Sequence, residues 1–123
     1  MMNEFNDRTA ECLKLVGETY GGILSTPHPS AILLNLEHMN SNVIAHATYG
    51  SKYKTIKHII SLNTQYTTGH SAKYISDVIP HEVAHAVCFD NNIVDDPHGE
   101  LWTQLCVLMG GNGNEFIELN DEK

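Results

Sequence analysis

Long apolar runs are missing from this sequence, and none approaches the roughly 20 residues that a membrane-spanning helix requires. The N-terminal residues also lack the basic-then-apolar order of a secretion signal, which predicts a cytoplasmic protein. Cysteine is scarce: Cys12, Cys88 and Cys106 are an odd number and form no CxxC pair. This pattern argues against a disulfide framework and predicts buried thiols in a reducing compartment.

Basic residues are few as well, with 7 Lys and Arg against 15 Asp and Glu and a net charge of −8. Such a chain repels phosphate backbones on average, so direct DNA binding is disfavoured. The one basic cluster is Lys52, Lys54 and Lys57, interleaved with Tyr49 and Tyr53. It has two interpretations, a local contact for nucleic acid or an acidic substrate, and an edge strand that lysines protect against mispairing. The second is favoured.

The remaining composition predicts a single α+β domain covering residues 1–123, with its core at about residues 31–110. An apolar stripe at helical spacing predicts a first helix from about Asn3 to Tyr20, which Gly21 and Gly22 end. A small three-stranded sheet follows, because alternating and β-branched apolar residues recur three times. The strands are predicted at residues 31–37, 42–50 and 53–63.

The apolar period becomes helical again after residue 70. One face of this helix carries Ile75, Ile79, Val83, Ala86 and Val87. Because the period runs through Pro80 without a phase break, the pattern predicts one helix that is kinked at Pro80 rather than a new helix beginning there.

A last helix is predicted with Asp95 or Asp96 as its cap, Pro97 in its first turn and Gly110-Gly111 at its end. Its core face is predicted to contain Leu101, Trp102, Leu105 and Leu108. For residues 114–123 the sequence predicts one short strand, followed by a frayed C-terminal end.

The stretch PHEVAHAV places His81, Glu82 and His85 on the helix predicted to be kinked. Residues four apart on a helix have Cβ atoms about 5–6 Å apart, so two imidazoles so placed can bind one zinc ion. Glu82 is rotated by about 100° from His81 and reaches the open side of such an ion. This is the HExxH pattern, in which the carboxylate is the general base. The alternative is an exposed polar helix face, and the histidines' position opposite Val83 and Val87 argues against it.

A catalytic zinc site needs a third protein ligand, and His98 and Glu100 are the leading candidates, ahead of Asp95 and Asp96. His98 is favoured because it begins the last helix, from which a side chain can point toward the preceding helix, and because Gly99 permits close backbone approach. Glu100 has a second explanation as a partner of the helix dipole.

Two further residues near the motif have alternative interpretations. Cys88 could be a fourth ligand and close the site, but a small buried hydrophobic side chain is favoured. Asp77, one turn before His81, could orient that imidazole or be an exposed helix carboxylate. The other histidines have no ligand spacing and are interpreted as ordinary surface or core residues.

The motif DVIPHEVAHAV followed by DPHGELW resembles the SprT-like metalloprotease domain, the family that includes bacterial SprT proteins and the eukaryotic protease Spartan. The segments IISLN and AHATYGS are similar to the strands that precede the family's active-site helix, so the resemblance covers about residues 33–109. It implies a zincin-like fold, His81, His85 and His98 as ligands of one Zn²⁺, and Glu82 as the catalytic acid/base. Many unrelated zincins share HExxH, and the later His-Gly is the discriminating part.

The resemblance implies a zinc-dependent endopeptidase that acts on polypeptides, including proteins associated with DNA. Family members often carry a cysteine-rich zinc ribbon after this domain, and no such cysteines follow Met109. A catalytically silent, zinc-stabilised binding or adaptor module is therefore the alternative function. The presence of Glu82 favours the enzyme, since a structural site has no use for that carboxylate.

Two details of substrate handling are also predicted. The strand that ends near Leu62 is expected to accept an extended peptide as an added strand. A tyrosine hydroxyl is expected to stabilise the oxyanion of the reaction, and the sequence does not distinguish among the candidates Tyr49, Tyr53, Tyr66 and Tyr74.

Overall fold

A computed structural model describes residues 2–50, 55–93, 98–117 and Leu119. The described residues form a three-stranded sheet with helices before and after it, which confirms the predicted α+β class and its order of elements. Helix α1 spans Met2–Tyr20. A 3₁₀ turn at Pro29–Ala31 leads into the sheet. The strands are β1 (Ile32–Glu37), β2 (Ala45–Tyr49) and β3 (His58–Asn63).

Helix α1 packs one face against the later helices. Its buried residues recur at helical spacing and are Phe5, Thr9, Cys12, Leu13 and Val16. The helix ends where it was predicted to end, because Gly22 has a φ of 88° that L side chains rarely adopt. A Cβ atom on Gly21 would lie 2.5 Å from the carbonyl oxygen of Gly17, so glycine is also required there.

The sheet has the order β1-β3-β2, with β1 parallel and β2 antiparallel to β3. The central strand β3 is almost wholly buried. On the face toward the helices, Leu34, Ile60 and Leu62 belong to the core. Strands β2 and β3 are shorter than predicted. Tyr53 and Lys54 of the predicted third strand, and Lys52 before it, lie outside the described residues, while Lys57 is exposed.

A helical backbone runs through Pro80, as the unbroken apolar period predicted. A single turn, α2 (Thr64–Thr67), precedes α3 (Ser71–Lys73), the π-helical segment Tyr74–Val78 and α4 (Ile79–Asp90). The N–H of Ile79 donates to the carbonyl of Tyr74, five residues back. Pro80 has no N–H to donate, and the wider π turn lies immediately before it. Helix α4 packs against α1, β2 and the last helix.

The last helix, α5, spans Glu100–Leu108 and buries Trp102, Leu105 and Cys106. Of the predicted core face, Leu101 and Leu108 are only half-buried. The predicted start was wrong, because Gly99 is the N-cap residue and the helix begins at Glu100, after His98. The candidate caps Asp95 and Asp96 and the first-turn Pro97 lie outside the described residues.

The chain leaves α5 through Met109, which is buried, and Gly110, whose φ is 93°. No strand forms at 111–117, contrary to the strand predicted in the tail. All three cysteines are free and buried, as expected. Among the helices of the described chain, none is long and apolar enough to cross a membrane.

Candidate metal centre

Three histidines, two on α4 and one in the turn before α5, meet at one point of the fold. His81 and His85 lie one turn apart on α4, and His98 precedes the first residue of α5. One ring nitrogen from each residue lies within 4.8 Å of the other two, a spacing at which one metal ion can contact all three. The three residues that were predicted as ligands are therefore brought together.

The histidines line a cleft of about 340 Å³ between α4 and strand β2. The other residues that line it are Ala45, His46, Ala47, Glu82, Phe89 and Glu115. Strand β2 is an edge strand, because it pairs with β3 on one side and no described strand pairs with its other side. The cleft therefore combines the histidine cluster, a carboxyl group and a strand edge.

Burial keeps two of the imidazoles neutral. The pKa of His81 is lowered to about 3, chiefly by burial and then by the nearby His85 and His98, while a backbone group of Asn114 acts in the opposite direction. The pKa of His85 is lowered to about 4 by burial and by His98. Neutral imidazole is the form that ligates metals, so His81 and His85 can bind a metal ion without first losing protons.

A buried ring nitrogen without a hydrogen-bond partner also indicates that the site fits a metal ion. Nδ1 of His81 is buried and has no hydrogen-bond partner in the described chain. Buried polar atoms without a partner are uncommon, and each calls for an explanation such as an ion or a ligand.

Glu82 is the carboxyl group of the cleft and is almost fully buried. Burial raises its pKa to about 8. A carboxyl group with a pKa near neutrality can both release and accept a proton at physiological pH, which is the property of a general acid/base.

Trp102 lies against the histidine cluster, with its ring centroid 4.7 Å from that of His81, 4.9 Å from that of His98 and 5.5 Å from that of His85. Its Nε1–H donates to the backbone carbonyl of His81 at 3.1 Å. The sequence predicted Trp102 as a core residue only. No helical spacing links Trp102 to His98, because His98 lies before Gly99, the N-cap residue of α5.

Among the other candidate ligands and positioning residues, Asp95 and Asp96 lie outside the described residues, and the rest lie away from the cluster. Glu100 is exposed, and its Oε1 accepts a hydrogen bond from Gln104 at 3.3 Å. Cys88 is buried, burial raises the pKa of its thiol, and it is not part of the histidine cluster. Asp77 forms a 2.7 Å ion pair with Lys73 rather than a contact with His81. The structure thus gives Glu100, Cys88 and Asp77 the roles of surface or core side chains.

Of the tyrosines considered as oxyanion donors, Tyr49, Tyr66 and Tyr74 do not line the cleft. The hydroxyl of the fully buried Tyr74 donates to the carbonyl of Ile44 at 2.9 Å, and that of Tyr66 donates to the carbonyl of Ser41. Tyr49 is exposed and packs its ring against His58 and Phe89. Tyr53 lies outside the described residues. For Tyr49, Tyr66 and Tyr74, therefore, the prediction was wrong.

The prediction of which strand accepts a peptide was also wrong. Strand β3 ends at Asn63 and is paired on both sides, with β1 and with β2, so it has no free edge. The free edge next to the cleft belongs to β2.

Two residues of the cleft were missed by sequence reasoning. His46, on β2, was interpreted as an ordinary histidine. Glu115 lies in the segment after α5, and its Oε1 is 3.4 Å from Nδ1 of His98. The available signal was the run of glycines at 110–113, which predicts a chain reversal. At Gly111 a Cβ atom would lie 2.7 Å from Sγ of Cys106, so the returning chain packs closely on the helix.

Comparison with known proteins gives one result for this chain. The model of the SprT-like family matches residues 30–119, which include all three strands, α4 and α5. Searches of curated proteins and of solved structures give no match. The family match covers well over half of the chain and contains every residue of the histidine cluster, and the chain therefore belongs to the SprT-like family.

Proposed function

We propose that this chain is a zinc-dependent endopeptidase whose metal ligands are His81, His85 and His98 and whose general base is Glu82. The observation that carries the proposal is the convergence of three histidine nitrogens and one buried carboxyl group in a single cleft beside a free strand edge. Membership of the SprT-like family supports the same assignment.

The donor set favours zinc. Three imidazole nitrogens that leave a fourth position open are a common arrangement for catalytic zinc. When bound, zinc lowers the pKa of a water molecule that it coordinates and polarises a carbonyl oxygen. His81 and His85 need no deprotonation to bind the ion, since their pKa values already lie well below 7.

Glu82 has the position and the proton affinity for its role. Its side chain lines the cleft next to the ligands. With a pKa near 8 in the metal-free chain, it holds a proton at neutral pH, and a nearby cation lowers that affinity. Glu82 is then able to accept a proton from an attacking water and to deliver it to the departing amine.

Strand β2 provides the binding edge in this proposal. An extended peptide that pairs with its free side would be held by main-chain hydrogen bonds, which depend little on side-chain identity. The small side chains of Ala45 and Ala47 leave room in the cleft for the bound chain. The proposed substrate is therefore an extended or unfolded polypeptide.

Proteins bound to nucleic acid are the proposed subset of substrates, by family resemblance. The net charge of −8 disfavours contact between this chain and DNA. In this proposal the substrate protein, rather than the protease, makes the contact with DNA.

The test compares Glu82→Gln with wild type and with a matched control, Glu100→Gln. Glu100 is exposed, is a near neighbour in sequence and does not line the cleft. Metal content and cleavage of an unfolded protein, with and without DNA, are measured for all three. We expect one zinc ion per chain in each, cleavage by wild type and Glu100→Gln that a chelator stops, and none by Glu82→Gln.

The other results separate the alternatives. Metal in all three chains without cleavage by any would favour the adaptor function. Equal cleavage by Glu82→Gln and wild type would remove Glu82 from the mechanism. Absence of metal from the wild type would overturn the proposal at its first step.

A further inference from the structure

The only tryptophan of the chain is buried against the candidate metal centre. Trp102 is 1% exposed and lies on α5, four residues after His98. Its ring contacts all three histidine rings, two of which lie on α4 and the third in the turn before α5. No other aromatic residue in the described chain has this set of contacts.

Each contact has a geometry that aromatic rings prefer. The indole meets His81 at an interplanar angle of 75° and His98 at 89°, both edge-to-face, and it stacks on His85 at 30°. Edge-to-face and offset-stacked pairs at 4.5–7 Å are the favourable arrangements of aromatic pairs. Rotation of any one imidazole would therefore lose a favourable contact with the same indole.

The indole is itself fixed in place. Its Nε1–H donates to the carbonyl of His81, which ties α5 to the backbone of α4 at the first histidine. The ring fills the space between the two helices, where it is fully enclosed. Trp102 thus has a defined position relative to all three histidine backbones.

Few hydrogen bonds fix the orientation of the three histidine rings. Ligating histidines in metal sites are usually held by a hydrogen bond from the second ring nitrogen to a carboxylate or a carbonyl. Within the described residues, Nδ1 of His98 lies 3.4 Å from the half-exposed Glu115, and a backbone group of Asn114 interacts with His81. Ring contacts are a further means of fixing the ring planes, and Trp102 is the residue outside the cluster that contacts all three histidines.

We propose that Trp102 is a positioning residue, whose indole holds the three imidazoles in their ligating arrangement before the metal binds. This inference rests on the proposed function in one respect, namely that the histidine cluster binds a metal ion. It goes beyond that function by assigning the preorganisation of the site to a residue that touches neither the metal nor the substrate.

The first experiment measures Zn²⁺ affinity of the metal-free chain by competition with a chromogenic chelator. The variant is Trp102→Phe, which loses the Nε1–H and one ring while keeping an aromatic side chain. The matched control is Leu105→Ala, which removes a fully buried side chain of the same helix that does not line the cleft. Affinities are compared at a temperature where circular dichroism shows every chain to be folded.

We expect Trp102→Phe to weaken Zn²⁺ binding about tenfold or more, the range found for residues that orient metal ligands. Leu105→Ala is expected to change the affinity by less than about threefold, because it lowers stability without touching the histidines. Equal loss in the two variants, or unchanged affinity in Trp102→Phe, would overturn the inference and leave Trp102 as a core residue.

The second experiment uses wild-type protein and therefore does not depend on a variant that folds. Because Trp102 is the only indole, its fluorescence reports on this position alone. We expect Zn²⁺ to change the emission intensity, with saturation at one equivalent, and the emission maximum of the metal-free chain to be already that of a buried indole. A solvent-exposed emission maximum before metal addition would overturn the claim that the site is preorganised.

The outcomes also separate this inference from the proposed function. Wild type that binds Zn²⁺ with no dependence on Trp102 would refute the inference alone. Wild type that binds no Zn²⁺ would refute the metal site and the inference with it. Binding without proteolysis would leave the inference intact and refute only the enzyme.

Discussion

Nε2 of His58 lies 2.7 Å from Oδ1 of Asp90, and this pair joins the first residue of the central strand to the last residue of α4. His58 is fully buried, and its other ring nitrogen, Nδ1, has no partner in the described chain. The helix that carries His81 and His85 is therefore anchored to the sheet at its C-terminal end by a part-buried polar contact.

Replacing Asp90 with alanine is expected to lower the free energy of unfolding by about 1–3 kcal/mol, the cost of a buried polar group without a partner. Asp90→Asn keeps an acceptor oxygen and should recover part of the loss. The control is Glu11→Ala, which breaks the exposed contact with Arg8 and should cost less than about 1 kcal/mol. Urea unfolding gives all three values, and equal costs for Asp90→Ala and Glu11→Ala would contradict the prediction.

Removal of one proposed ligand tests the cluster directly. His98→Ala leaves two nitrogens at the site, so we expect it to weaken Zn²⁺ binding by more than about 100-fold, beyond the effect of losing an orienting residue. His46→Ala is the matched control, because His46 lines the same cleft but does not belong to the three-nitrogen cluster. Metal analysis of the purified chains and a chelator competition give the comparison. Loss of zinc from His46→Ala, but not from His98→Ala, would move the third ligand to β2.

The elements of this fold were predictable where a local period specifies them. The stripe from Phe5 to Val16 predicted α1, and the apolar period through Pro80 predicted a continuous helix. The π-helical segment before Pro80 was not predictable, since its cause is a backbone register that leaves no mark on the apolar pattern. The middle position of β3 was missed, because strand order depends on pairing between distant segments, which the apolar pattern of one strand does not specify.

The residues of the candidate site also divide into those that a local sequence period specifies and those that it does not. His81, Glu82 and His85 follow from spacing on one helix, and His98 needed only the next helix along the chain. His46 and Glu115 lie in the cleft because β2 and the segment after α5 fold back over α4. No sequence period indicates such contacts, because the residues that make them are far apart in the sequence. The tyrosine prediction failed for a related reason, because burial and hydrogen bonding of a hydroxyl depend on the whole fold.

The buried thiols predict how stability depends on pH. Burial raises the pKa of Cys12 from its ordinary value of 9.0 to about 12, with Arg8 opposing this and Glu11 adding to it. Between these two values the unfolded chain loses the proton and the folded chain keeps it. Stability should therefore fall as the pH rises through this window, by up to about 1.4 kcal/mol per pH unit from this group.

Cys12→Ala isolates that contribution. The substitution removes the titrating group and adds a cavity cost that does not depend on pH. We expect urea unfolding midpoints of the variant to fall less steeply than those of wild type between pH 9 and pH 11. Parallel curves for the two chains would show that Cys12 does not contribute to the pH dependence.

The hydrogen bonds of Asn63 hold the loop that leads to the edge of the cleft. Its side chain is fully buried, and its Oδ1 accepts from the N–H groups of Met39 and Gln65 at 3.2 and 3.0 Å. Its Nδ2 donates to the carbonyls of Met39, Asn40 and Val43. One amide thus fixes the loop that leads into β2, the strand beside the histidine cluster.

Asn63→Ala should lower the free energy of unfolding by about 2–5 kcal/mol, because several buried backbone groups lose their partner together. Asn35→Ala is the matched control, since the side chain of Asn35 bonds only to the exposed Glu37, and it should cost about 0.5 kcal/mol or less. Amide hydrogen exchange adds a local measurement. Because the loop precedes β2, exchange at Ala45–Tyr49 should accelerate in Asn63→Ala more than exchange in α1 does. If the two regions accelerate equally, Asn63 stabilises the domain as a whole and has no particular role in holding the edge of the cleft.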